Sequence, residues 1–392
     1  MASSPGPSAS AVPPPAARVE ALRARGVRIL DPGQTFVDEE VDPTRVHATV
    51  TLYPGTRLHG RRTFLGPGAA VGLEGPATLV DCVLGDGASI ASGFAKGAVL
   101  MRAAKLGANA HVREGTILEE EASTAHAVGL KQTILLSFVT LGSLINFCDL
   151  LMAGGTSRED HSEVGSGFIH FNFTPWGRAG DKATPSLVGD VPSGVFLRQR
   201  RIFLGGQSGL VGPRAIGFGS MTGAGQVVRR DVGAGKLSIQ VARAVDEPLD
   251  RPLNTRVQPV LEKNVEYVAQ LRALEVFYAE VRLGRARRAR REDLVAIYEE
   301  ALANLAICVA ERVTRLKAFL REHGGPPLPD LGAPAAARGS DRSHSQAASG
   351  GSPVRVLRNS TRSSISRSLR PSGRSRDDFV PAKVPSGEPP LL

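Results

Sequence analysis

"LGGQSGLVGPRAIGFGSMTGAGQVV", Leu204 to Val228, decides the fold. It has too many glycines for a helix and lacks the strict alternation of a half-buried strand. Yet Leu204, Leu210, Ile216, Thr222 and Val228 fall six apart without a break. A chain that walks along a flat face for about four residues and turns a corner in about two has this period. One apolar side chain per face points into the axis. Glycine or a small residue suits the corner, where φ is often positive or the next coil presses close. Three faces close a triangle, so one coil takes about eighteen residues, and each strand pairs with its equivalents above and below at about 4.8 Å. The object predicted is a parallel β-helix, in which each coil is stabilised by its neighbours.

The same period returns upstream. Leu100, Leu106, Val112 and Leu118 are six apart, as are Leu52, Leu58 and Phe64, and Leu84 and Ile90. Glycine often follows the apolar residue, from Leu65-Gly66 to Ile216-Gly217. We therefore assign 46–240 to the β-helix, about eight or nine coils in a prism about 40 Å long. Two segments break the rhythm, Ala153–Glu163 and Phe171–Ser186, the second holding the single tryptophan. Loops that leave a rigid scaffold are where binding chemistry tends to sit.

Composition agrees with this reading. The 392-residue chain carries 44 glycines and only 5% aromatics, which suits small side chains stacked close to a backbone. Its three cysteines, Cys82, Cys148 and Cys308, are far apart with no CxxC or histidine spacing. They are expected to be reduced and buried in a cytoplasmic protein, with no disulfide or zinc framework and no metal requirement. The first residues show neither a basic nor an apolar leader region, so no signal peptide is expected. Thr133–Gly155 is long and apolar enough to raise the question of a membrane span. The series Leu141, Phe147, Ala153 runs through it, however, and a buried coil explains the same residues.

Outside the repeat, 1–16 reads as a disordered Pro/Ala/Ser tail, 17–45 as a connector and 241–256 as a linker. From Leu261 apolar residues come in steps of three and four to Val281, and again from Leu294 to Leu320. These predict a helical hairpin over 257–323, broken at Gly284 and turned through "GRARRARRED". That arginine run reads either as a solvated turn or as a grip on a phosphate-rich partner. Residues 324–392 read as a disordered Ser/Arg-rich tail. From Pro327 onward it holds ten Arg/Lys against five Asp/Glu, half of the chain's formal charge of +10. Such a tail either binds nucleic acid or another acidic partner by charge, or simply keeps the protein soluble.

The repeat resembles the hexapeptide-repeat acyltransferases. It is most similar to the C-terminal domain of the bifunctional N-acetylglucosamine-1-phosphate uridyltransferases/glucosamine-1-phosphate acetyltransferases, over roughly Ala21 to Val232. "ALRARGVRILDPGQTFVDEEV" looks like that family's lead-in, "VREG" like its arginine turn, and "VGLK" like the lysine one coil later. The resemblance implies a mainly β fold, a left-handed parallel β-helix, and assembly as a homotrimer with sites between subunits. It implies that Arg113, Lys131, Asn172 and Lys182 hold a sugar phosphate or nucleotide-sugar. It places Gly206 and Ala224 along the groove for acetyl-CoA or another acyl-CoA. Arg and Lys from adjacent coils suit a phosphate dianion, which they clamp by charge-assisted hydrogen bonds.

Departures from the pattern matter. The family's catalytic histidine falls at Phe147 here and its tyrosine at Phe173. His161, or less favourably His170, is the candidate for the missing general base. No uridyltransferase segment is recognisable, so this chain is not expected to make UDP-sugars by itself. Two functions stay open: an acyltransferase of the UDP-N-acetylglucosamine pathway type, or an inactive β-helix scaffold recruiting partners through its hairpin and tail.

Overall fold

The computed structural model describes residues 14–173, 182–241, 244, 246 and 257–328. The N-terminal tail to residue 13, most of the linker, and the basic tail from 329 lie outside the described residues.

Short parallel strands stack into a solenoid of about eleven turns. The first face is an eleven-stranded sheet running from Arg28–Ile29 to Leu237–Ser238, each strand two residues long. The second and third faces form one sixteen-stranded sheet. They are continuous because two long strands, Gly129–Leu135 and Asn146–Met152, run through the bend between them. The bend falls at Gln132 (φ 47°) and Asp149 (φ 60°). Cross-strand partners repeat every sixteen to nineteen residues where no loop intervenes, as in Lys105↔Ser123 and Lys105↔Ser89.

The six-residue series points inward as the period requires. Leu204, Leu210, Ile216 and Val228 belong to one continuous core with Leu100, Leu106, Val112 and Leu118. Corner glycines are explained by crowding: a Cβ on Gly205 would lie 2.4 Å from the carbonyl carbon of Gly223 in the next coil. The helix Pro15–Ala24 lays Val19 and Leu22 on the first coil, closing that end of the core.

Four expectations are corrected. Strand pairing begins at Arg28, inside the segment read as a connector, because two-residue strands without glycine corners leave little trace in the sequence. The turns number about eleven rather than eight or nine, since the solenoid starts earlier and loops take fewer residues than allowed for. Phe64 faces outward and Leu65 takes the inward place, so the series slips by one there. The first hairpin helix is not broken at Gly284. It runs Val257–Val276, widens to a π-helix over Phe277–Leu283, and continues as Gly284–Arg288. The turn comes at Ala289–Arg291, where Arg290 has φ 53°. The second helix spans Glu292–Glu322.

The hairpin covers the third face. That face is apolar on both sides, so its strands read as unbroken runs such as Ala98–Leu100 and Thr116–Leu118. Val83, Val99, Ile117, Ile134, Leu151 and Leu187 form an outward ladder in register. This ladder packs against Leu271, Tyr278, Ala301, Leu305 and Val309 of the hairpin. Thr133–Gly155 is thus solenoid throughout its strands. Among the described residues no helix is long and apolar enough to cross a membrane.

Candidate functional site

The edge between the second and third faces gathers the sequence-predicted ligand residues. Arg113 leaves the strand Ala110–Val112, and its backbone N–H still bonds the Leu130 carbonyl at 2.9 Å. That bond keeps Arg113 in step with Lys131 one coil on. Lys131 pairs in turn with Cys148. The three side chains make an outward column, and the Arg113 guanidinium donates to the Cys148 Sγ at 3.9 Å. In the following coil Asn146 pairs with Ile169, which brings Phe171 over Cys148 and Asn172 to the corner. Asn172 Nδ2 donates to Asp149 Oδ2 at 2.9 Å. Lys182 returns to the same corner, with its Nζ 5.9 Å from the centre of the Phe173 ring.

The charges here are arranged in two layers. Below the surface, Asp149 is 3% exposed and pairs with the equally buried Arg312 of the second hairpin helix at 2.9 Å. At the surface, Glu114 is held below the usual carboxylate range by its hydrogen bond to Lys96. Burial works against ionisation of Glu311, but the Arg315 hydrogen bond and the nearby Arg312 and Lys131 charges outweigh it. Burial also raises the Cys148 thiol above its usual value and Asp149 adds to this, while Arg113 and Lys131 pull the other way. The thiol is neutral at physiological pH. Arg113 and Lys131 are left facing outward, able to meet an anion.

The other predicted residues lie elsewhere on the prism. Gly206 and Ala224 stack one coil apart, as expected: Leu204 pairs with Thr222, which fixes their register. They occupy the edge between the first and second faces. His161 lies in the loop between the third and first faces, where Gly155 bridges it. Its Nδ1 is 2.7 Å from the Arg158 carbonyl, so that nitrogen carries the proton, and Nε2 faces Glu163 at 3.9 Å. One chain therefore puts the residues predicted to bind phosphate, those predicted to line the acyl-donor groove and the candidate base on three different edges.

Two readings change at the inward positions. The His170 side chain points into the solenoid in the same column as Phe147 and Leu210, and is 3% exposed. Its ring nitrogens are satisfied by the Cys148 carbonyl and by Ser186 Oγ at 2.8 Å. Burial pulls its pKa down to about 4. It is a structural histidine, not a base. Phe147 is likewise fully buried, edge-on to Phe168. An imidazole in its place would face the core, so the residues that meet the surface there are Asn146 and Cys148.

Sequence reasoning missed Asp149, Gln132 and Arg312. Arg312 had a usable signal: it sits among Leu305, Val309, Val313 and Leu316 on the apolar face of its helix. A charge in such a stripe needs a buried partner. Among the described residues no cluster of three or more His, Cys, Asp or Glu could hold a metal.

Stacked three-faced coils with a six-residue period define a β-solenoid of the hexapeptide-repeat type, the class of the acyltransferases that the sequence resembles. The particular relatives agree. The chain is 31% identical over 224 residues to the Bifunctional protein GlmU of Pseudarthrobacter chlorophenolicus, covering 57% of this chain and 40% of the relative. It is 31% identical over 217 residues to that of Kineococcus radiotolerans, covering 55% and 39%. For that of Clavibacter sepedonicus the identity is 33% over 217 residues, covering 55% and 38%. The chain thus spans about two fifths of the length of the curated relatives it matches. No protein-family model matches it. The solenoid and these relatives together support an acetyltransferase-like left-handed β-helix.

Proposed function

We propose that the edge carrying Arg113, Lys131, Asn172 and Lys182 binds an amino-sugar phosphate or nucleotide-sugar, and that the protein transfers an acyl group to it from acetyl-CoA or another acyl-CoA. One observation carries this reading: three cationic side chains and an amide line one edge of the solenoid within four consecutive coils. Arg113 and Lys131 bind the phosphate as a charge-assisted clamp. The substrate amine attacks the thioester carbonyl, the new C–N bond forms as the C–S bond breaks, and coenzyme A leaves as its thiol. His161 takes the amine proton on Nε2, its Nδ1–H being fixed on the Arg158 carbonyl.

Because the parts lie on three edges, the working site needs more than one chain. A parallel homotrimer brings the Gly206–Ala224 edge and the His161 loop of neighbours toward the ligand edge, and the protein works in the cytoplasm without a metal. Acetyl-CoA consumption by the full chain, assayed against amino-sugar phosphates and UDP-amino sugars, tests the proposal. Arg113→Ala and His161→Ala are each expected to lose turnover. Co-expressed in one oligomer, they are expected to regain part of it, because some sites then receive both intact residues. Absence of turnover and binding with every sugar removes the reading. Failure of the mixed oligomer to recover removes the shared site.

The second reading, a binding scaffold that lost the chemistry, is favoured by one observation. The place where the resemblance puts the catalytic histidine holds the buried Phe147, and the neighbouring His170 is buried and fully bonded. Ligand binding without turnover selects it.

A further inference from the structure

We infer that Arg312 of the hairpin is a positioning residue for the ligand edge, setting Asn172 and Lys182 from beneath; the inference rests on reading that edge as the ligand site. The guanidinium is 3% exposed and reaches three groups on the solenoid. It pairs with Asp149 Oδ1 at 2.9 Å, donates to Gln132 Oε1 at 3.3 Å, and donates to the backbone carbonyl of Lys182 at 3.3 Å. Asp149 uses its other oxygen to accept from Asn172 at 2.9 Å. One arginine therefore fixes the amide through Asp149 and the lysine through its own backbone, although these two residues come from different stretches of the chain.

A purely structural ion pair does not require this arrangement. Asp149 and Gln132 are the positive-φ corner residues of adjacent coils, so Arg312 grips the corner itself. A planar fork with several donors meets three acceptors at once, which a lysine ammonium on a flexible stem does less well. The hairpin adds a second hold next to Lys182: Asn264, 1% exposed, donates to the Ala183 carbonyl at 2.9 Å. The backbone at Lys182 and Ala183 is thus held by both helices of the hairpin. Misplacement of a binding group by about 1 Å is enough to cost about a hundred-fold in function.

The test compares full-length wild type with Arg312→Gln, Arg312→Lys and Arg113→Ala by amide hydrogen exchange and by titration with UDP-N-acetylglucosamine and glucosamine 1-phosphate. Arg312→Lys keeps a charge opposite Asp149 and guards against simple unfolding of the glutamine variant. Without ligand, both Arg312 variants are expected to raise exchange over 169–173 and 184–188 by about ten-fold, with 64–112 unchanged. Both are expected to weaken sugar binding, the lysine variant less. Arg113→Ala is expected to weaken binding and leave exchange as in wild type. Exchange that rises everywhere alike, or nowhere, overturns the positioning role. So does local loosening with unchanged affinity. If wild type binds neither sugar, the ligand-site reading fails, and the exchange result still decides whether Arg312 sets this corner.

Discussion

The His170 imidazole is neutral in the folded protein because burial removes the water that would solvate its charge. Its pKa falls from 6.5 to about 4. The unfolded chain therefore binds more protons between those values, and stability rises with pH across that window. The contribution is complete above about pH 6.5 and is lost as the pH drops toward about 4, amounting to about 3 kcal/mol. Urea unfolding at about pH 7 and about pH 4.5 checks this: His170→Leu is expected to lower the difference between the two conditions by about 2 kcal/mol or more. The inward placement of this column was half legible. The series Leu141, Phe147 in the sequence already put Phe147 inside the prism, against the family pattern that gave it a catalytic place. His170 escaped because the loop before it resets the count of residues between coils. Arg113 and Lys131 came from the resemblance, and their stacking on one edge was legible because they are eighteen apart with no loop between them. Asp149 was not, since its role depends on a helix more than a hundred positions away in the chain.

The hairpin is held by packing along the third face and by polar clamps at both of that face's edges. At one edge Arg282, on the π-helical turn, bonds Glu120 with both arms, and the Tyr278 hydroxyl donates to Glu119 at 2.7 Å. Burial pushes the Glu119 carboxyl up, with the Arg282 charge opposing it. Arg282→Ala leaves two buried carboxylates without their cation and is expected to cost about 3–5 kcal/mol. Ile117→Ala removes the middle of the apolar ladder and is expected to cost about 2–5 kcal/mol. Both are read from denaturant midpoints. Arg282→Ala is also expected to expose the hairpin selectively to limited proteolysis. The helices themselves were visible in their three-and-four spacing. Their docking was not, although apolar runs such as "AVL" marked strands needing cover on both sides. Gly284 misled because a glycine is tolerated in a helix that tertiary contacts hold on either side.

At the scale of the molecule, the solenoid and its hairpin belong to one compact unit, whereas the charge is unevenly shared with the basic tail. If that tail contributes polyanion binding, deletion of 329–392 is expected to lower affinity for single-stranded RNA and to flatten its dependence on salt; an unchanged slope assigns the tail to solubility alone. The second hairpin helix runs along the edge between the second and third faces in the direction of the coils. Glu300 meets Arg62, Asn304 and Cys308 meet Gly115, and Arg312 meets Asp149. From Glu300 to Arg312 the helix advances about 18 Å. Arg62 also pairs with Asp81, at the corner one coil on; from that corner to the one at Asp149 the solenoid rises four coils, about 19 Å. Stacked repeats generally tolerate the gain or loss of a unit, because each touches only its neighbours. Here the hairpin acts as a gauge bar: one extra coil between Gly115 and Asp149 would pull its fixed points out of step by a whole strand spacing. The number of turns in this stretch is thereby set by a helix of constant length, and the scaffold is barred from the drift in repeat number open to an uncovered one.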